Sequence, residues 1–278
     1  MTGALLGRAD RERVARVATE LALEAGEILL RFYRDGFAVE YKSPGDPVTA
    51  ADRAANVLIV DGLTKAFPGV PIVAEESAPS AYAGFEKAPA AFFVDPLDGT
   101  REFVARNGEF TVMIGLAEAG RATVGVVGWP TEGRTFTGVV GGGCHDEKGR
   151  PLHVTTTTDP GDARCLVSRS RGSTAFLADL EVIGARELIP YGSAGLKAAR
   201  VAAGELDLYV HPRTVGYRWD VCASEAVVRA AGGEATDTRG LPIDYGDTDL
   251  ANYHGFVASN GHLHAEVIKR LGTMRGLA

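Results

Sequence analysis

Ala91-Phe92-Phe93-Val94-Asp95-Pro96-Leu97-Asp98-Gly99-Thr100-Arg101-Glu102-Phe103 carries an apolar run straight into two carboxylates. The short apolar run, bounded by turn formers, predicts a buried strand over 91–94. Asp95-Pro96-Leu97-Asp98-Gly99-Thr100 then opens a turn, and Arg101-Glu102-Phe103 suggests a helix behind it. Loops at strand ends are where folds commonly place chemistry. This turn offers the Asp95 and Asp98 carboxylates, the Leu97 carbonyl, and the Gly99 and Thr100 amides. Hard cations such as Mg²⁺ take oxygen ligands, and amides at a helix start bind phosphate oxygens. The same residue types also suit a plain capped turn.

Working outward, the pattern changes from helical to strand-like and then alternates. Val14, Val17, Ala18, Leu21, Ala25, Ile28, Leu29 and Phe32 share one helical face, predicting a helix over 10–34 with Asp10 capping its start and Gly36 its end. A second helix is expected from Thr49 to Phe67, stopped by Pro68-Gly69, and a short strand at 70–74 runs into Glu75-Glu76-Ser77. The stretch 77–90 reads as a surface loop. Residues 110–117 and 122–129 read as a hairpin around Ala119-Gly120, with a further strand at 134–140. Beyond the Thr- and Pro-rich stretch at 150–161, strands at 165–168, 186–190, 206–210 and 255–258 alternate with helices at 173–180, 195–203, 220–231 and the C-terminus. Such alternation predicts α/β organisation. Two domains are expected, 1–148 and 149–278.

Other acids occupy comparable positions. Glu75-Glu76 follows a strand, and Asp52 lies three residues after Thr49 in a capping-box pattern. Asp220 opens a helix, where an aspartate is a good cap, and Trp219 before it reads as core. Taken singly, each has a structural explanation. Together, Asp52, Glu75, Asp95, Asp98 and Asp220 could converge on one crevice of an α/β fold. Two carboxylates about 4 Å apart repel by roughly 4 kcal/mol at an effective dielectric of about 20. Divalent cations are the natural counter-charge.

Composition narrows the function classes. The chain has 278 residues, 45% hydrophobic and 23% charged, ordinary globular values. A net charge of −7 argues against nucleic-acid polymer as a partner, since that needs a basic surface. Cys144, Cys165 and Cys222 have no metal-ligand spacing and are expected to be reduced thiols in a cytoplasmic protein. No apolar run is long enough to span a membrane. The six histidines show no ligand spacing, and His262-Leu263-His264 is expected at the surface.

Four segments, in order, resemble the inositol monophosphatase superfamily of Mg²⁺-dependent, lithium-sensitive phosphatases. They are Asp46-Pro47-Val48-Thr49-Ala50-Ala51-Asp52, Ala74-Glu75-Glu76-Ser77, Asp95 to Thr100, and Trp219-Asp220 with Gly232-Gly233 beyond its helix. Thr100-Arg101-Glu102-Phe103 and Arg106 to Val112 are similar to the bacterial 3'(2'),5'-bisphosphate nucleotidase branch. The resemblance implies a layered αβαβα sandwich and hydrolysis of a phosphomonoester, the 3'-phosphate of adenosine 3',5'-bisphosphate first. An inositol or sugar phosphate is the alternative substrate, and a non-catalytic binding protein on the same scaffold the alternative class. It further implies two to three Mg²⁺ ions. Glu75, Asp95 and the Leu97 carbonyl would hold one, and Asp95, Asp98 and Asp220 a second, with a weaker ion near Glu75. Asp52 and Thr100 would orient and deprotonate the attacking water, with Glu75 also in the catalytic set. Asp98, Gly99, Thr100 and Asp220 would meet the substrate, and the protein could pair as a homodimer. Arg218 departs from the family at a position expected near the substrate, as does Cys222-Ala223-Ser224. Lys197, in Gly192-Ser193-Ala194-Gly195-Leu196-Lys197, and Arg213 are candidates for a second phosphate, Lys197 equally for a solvated helix charge.

Overall fold

A computed structural model describes residues 7–43, 46–169, 180–212 and 216–274. The first layer is helical: α1 (Arg8–Asp35) and, after the short strands β1 (Val39–Ser43) and β2 (Asp46–Thr49), α2 (Ala50–Ala66). Val14, Ala18, Leu21, Ala25 and Leu29 bury one stripe of α1, as their spacing requires. Asp10 does not cap α1 from outside. It sits in the first turn and accepts the Gly7 amide at 3.3 Å. Thr49 does cap α2, in a complete capping box with Asp52.

The second layer is a seven-stranded sheet: β3 (Ile72–Ala74), β4 (Ala90–Asp98), β5 (Thr111–Glu118), β6 (Arg121–Trp129), β7 (Arg134–Val139), β8 (Gly143–Asp146) and β9 (Pro151–Leu152), in chain order. β3 is parallel to β4, and the remaining strands form an antiparallel meander. A one-turn helix, α3 (Thr100–Val104), follows β4.

The second sheet has order β11-β10-β12-β14-β13, from β10 (Arg164–Ser168), β11 (Glu187–Tyr191), β12 (Leu208–His211), β13 (Glu234–Thr236) and β14 (Phe256–Ser259). Between the sheets lie α4 (Ala194–Ala202) and α5 (Trp219–Ala230), and α6 (His264–Leu271) covers the outer face. The αβαβα sandwich is therefore the fold. One buried cluster joins Phe93 and Met113 of the first sheet to Ala198, Trp219 and Tyr209 of the second half. Of the helix expected at 173–180, only Leu180 falls among the described residues.

A row of glycines sets the spacing of the middle layers. Gly115 of β5 pairs with Gly125 of β6, which pairs with Gly138 of β7. A Cβ at Gly125 would lie 2.4 Å from the Ala223 carbonyl oxygen, and one at Gly138 2.8 Å from Val227 Cα. The bare backbone lets α5 sit directly on the sheet, which places its N-terminus over the end of β4. Gly125→Ala should therefore cost about 1–3 kcal/mol by overpacking. A urea midpoint equal to wild type would show that the layers have slack.

Buried polar groups correct one expectation. His264 is 3% exposed, its ring bonded to Thr236 Oγ1 and Ser259 Oγ at 2.9 Å each, while His262 is exposed. A neutral imidazole, one donor and one acceptor, fits between two hydroxyls, and burial holds its pKa down. All three cysteines are free and buried. Burial pushes the Cys144 and Cys165 thiols up to about 12. No helix among the described residues is long and apolar enough to cross a membrane.

Candidate metal and phosphate site

Asp95 and Asp98 lie three residues apart, and in a regular strand they would face opposite sides of the sheet. Here β4 runs on to Asp98 rather than ending at Val94. Asp95 pairs with Met113 and Asp98 with Thr111, so three steps on β4 oppose two on β5. That bulge turns both carboxylates to the same side. Pro96 has no amide to lose from the ladder, and Asp95 Oδ1 accepts the Leu97 amide at 3.0 Å, closing the bend.

Asp98 is held from the far side of the molecule. Its Oδ2 accepts the Gly195 amide at 2.8 Å, the Thr111 hydroxyl at 3.3 Å and the Ser193 hydroxyl. The Thr111 and Ser193 hydroxyl oxygens lie 2.9 Å apart, so with Ser193 donating to Asp98 the single Thr111 proton is shared between Asp98 and Ser193. A Cβ at Gly195 would lie 2.2 Å from Met113 Sδ, so only glycine brings that amide so close.

Asp220 lies in the first turn of α5 and is not its cap; Arg218 holds that position. Its Oδ2 accepts the Tyr217 amide. One oxygen each from Asp95, Asp98 and Asp220 lies within 4.8 Å of the others. Carboxylates so spaced repel pairwise by roughly 3 kcal/mol at an effective dielectric of about 20. Burial, then the neighbouring Glu75, Asp98 and Asp220, push the Asp95 carboxyl well above the usual carboxylate range.

Glu75 follows β3, its amide continuing the sheet to the Val94 carbonyl at 3.1 Å. Its carboxyl reaches that of Asp95. Glu75, Asp95, Leu97, Asp98, Gly99, Thr100 and Asp220 all line one cavity of about 130 Å³. Gly99, at φ +95°, turns the chain into α3.

Asp52 stands behind Thr100. Its Oδ2 accepts the Thr49 amide at 2.8 Å and the Thr49 hydroxyl at 2.6 Å. The Thr100 hydroxyl lies 3.4 Å from Asp52 Oδ1 and 3.2 Å from the Leu97 carbonyl oxygen. Asp52 is thus both the first-turn partner of the Thr49 cap and a neighbour of the cavity. Burial, only partly offset by the Thr49 bonds, raises it to about 6.

The donor set suits a hard divalent cation. It consists of carboxylate and carbonyl oxygens, two of the three clustered aspartates are buried, and neither His nor Cys joins that cluster among the described residues. A cation would offset both the burial and the carboxylate repulsion that raise Asp95.

Several candidates fall elsewhere. Arg218 reaches toward Asn252 Oδ1 at 3.5 Å and lines a separate cavity with Asp237 and Asp249. Cys222 and Ala223 face the glycine row and not the site. Trp219 is core and carries a stacked Tyr217 ring, centroids 4.6 Å apart. Arg213 lies outside the described residues. Lys197 lines the cavity but is only 3% exposed, so it is no solvated charge. The sequence reading missed Thr111, Ser193 and the Gly195 amide as partners of Asp98. A glycine, a serine and a second glycine within four residues were the only local signal.

The sequence profile of the inositol monophosphatase family matches residues 10–274. The 3'(2'),5'-bisphosphate nucleotidase CysQ of Escherichia coli K12 is 36% identical over 233 residues, covering 81% of this chain and 91% of that protein. Inositol monophosphatase 2 of Solanum lycopersicum is 32% identical over 270 residues, covering 94% and 98%. The crystal structure of the extragenic suppressor protein suhB from Bartonella henselae superposes with a TM-score of 0.81 at 29% identity, covering 94% of this chain and 99% of that one.

Proposed function

Because the chain belongs to the inositol monophosphatase family and is a metal-dependent phosphoric monoester hydrolase, we propose that it removes the 3'-phosphate of adenosine 3',5'-bisphosphate with Mg²⁺. The observation that carries the chemistry is the gathering of Asp95, Asp98 and Asp220 within 4.8 Å. The substrate reading is supported by 36% identity to a bisphosphate nucleotidase and by Arg101 and Glu102 at the cavity wall. Three free buried thiols fit a cytoplasmic location. The division into 1–148 and 149–278 belongs to the same reading, with Asp220 supplied by the second part.

In this reading Glu75, Asp95 and the Leu97 carbonyl hold one ion, and Asp95, Asp98 and Asp220 a second. A weaker third ion would be held near Glu75. Bound there, Mg²⁺ supplies a lowered pKa for water, charge neutralisation at phosphate and stabilisation of the leaving oxygen. The chain's own residues do the rest. The Thr100 hydroxyl orients the attacking water and accepts its proton as it gives its own to Asp52, poised near 6. The Gly99 and Thr100 amides, with Asp98 and Asp220, orient the phosphomonoester for in-line attack.

A second reading is hydrolysis of an inositol phosphate, favoured by the 32% identity to a plant inositol monophosphatase over nearly the whole chain. Phosphate release from adenosine 3',5'-bisphosphate and from inositol 1-phosphate, with Mg²⁺ and with or without Li⁺, separates the two. The expected result is preferential, lithium-inhibited turnover of the bisphosphate. Turnover of inositol 1-phosphate with none on the bisphosphate overturns the nucleotide reading.

A further inference from the structure

Lys197 is the buried cation beside the anionic cluster, and its surroundings give it a particular task. Its Nζ lies 3.2 Å from the Tyr191 carbonyl oxygen, 3.2 Å from that of Gly192 and 2.5 Å from that of Ser193. The Tyr209 ring sits beneath it, 4.9 Å from Nζ to the centroid. Three ammonium donors thus face three carbonyl acceptors of consecutive residues. A second phosphate would have to displace one of those carbonyls.

Those three residues form the turn that serves Asp98. Ser193 has φ +53°, a left-handed value that serine adopts only when its surroundings impose it. From that conformation its hydroxyl reaches Asp98 and accepts the Leu196 amide at 3.0 Å, and the Gly195 amide reaches Asp98 as well. Gly192 is anchored separately, its amide on Glu109 Oε2 at 2.6 Å. The side chain of α4 therefore clamps the backbone just before α4, and the clamped turn orients a carboxylate of the metal cluster.

We propose that Lys197 is a positioning residue for metal binding, acting through Ser193 on Asp98. The inference rests on Asp98 being a metal ligand. Lysine suits the task because a tetrahedral ammonium spreads three donors over three carbonyls, whereas a guanidinium is planar. Loss of the ammonium takes a donor from all three carbonyls; that of Tyr191 keeps the Arg169 amide at 3.0 Å and that of Ser193 the Lys197 amide at 3.4 Å, but the link tying the three together is gone and the Ser193 turn is free to relax.

The test titrates the full chain with Mn²⁺ alone, followed by electron paramagnetic resonance, in wild type, Lys197→Met, Ser193→Ala and the double variant. Lys197→Met and Ser193→Ala should each weaken binding about 10- to 100-fold, the usual effect of losing a group that orients a ligand. The double variant should be no weaker than the worse single one, since both remove the same support. Lys197→Arg should resemble Lys197→Met. Wild-type affinity in Lys197→Met or Lys197→Arg, or a double variant showing the product of the two single effects, overturns the proposal. Wild-type protein that binds no Mn²⁺ overturns the metal assignment itself, and this inference with it. If Lys197→Met does not fold, Lys197→Gln decides by the same criteria.

Discussion

Asp95→Asn should lose Mg²⁺-dependent hydrolysis and keep its fold. Asp95 is the carboxylate shared between both ions in the proposed arrangement, and it is 1% exposed. Neutralising it removes a ligand worth several kcal/mol of charge stabilisation, about 10³-fold in rate or more. The fold survives because an asparagine Oδ1 can still accept the Leu97 amide that closes the bend. Stability should change in an unusual direction. Without metal the variant should be at least as stable as wild type, because a buried carboxyl facing three others is gone. With Mg²⁺ the wild type should gain thermal stability by linkage and the variant should not. Melting curves with and without Mg²⁺, beside a phosphate-release assay, check both parts. Undiminished Mg²⁺-dependent hydrolysis refutes the metal assignment.

Asp52→Asn should separate catalysis from metal binding. Asp52 lies outside the metal cluster and meets the cavity only through Thr100. The variant keeps a carbonyl oxygen to accept the Thr49 amide and hydroxyl but can no longer take a proton. Hydrolysis should fall about 10²- to 10⁴-fold, the usual worth of a positioned general base. Mn²⁺ affinity should stay at the wild-type value, and stability should shift by no more than about 1 kcal/mol, the scale of a capping contact. A Mn²⁺ affinity that falls along with the rate would place Asp52 among the ligands and not behind them.

The elements were legible where local rules dominate. The hairpin of β5 and β6 follows from two apolar runs on either side of Ala119-Gly120, and α1, α2, α4 and α5 lie within a residue or two of their expected spans. β8, β9 and β13 were not legible. They are two to four residues long and exist through their pairing with neighbouring strands. The surface position expected for His264 and the solvated alternative for Lys197 failed for a related reason. A polar side chain in a helical pattern reads as solvated, yet each is buried because acceptors or donors from other segments meet it. Asp10 and Asp220 were read as outer caps because aspartate favours that position, whereas both lie inside the first turn and bond an amide three residues back.

The order of residues alone determined which oxygens are available for chemistry. An apolar strand running into Asp95 and Asp98, an acid after a second strand and an acid opening a helix are local patterns, set by neighbours a few positions away. Tertiary structure decided that these oxygens meet. The bulge opposite Thr111 puts two aspartates on one side of β4, and the glycine row lets α5 deliver Asp220. Asp98 takes its remaining partners from residues 95 and 97 positions further along the chain. Contacts at such separation depend on how layers stack, which no short window of sequence encodes.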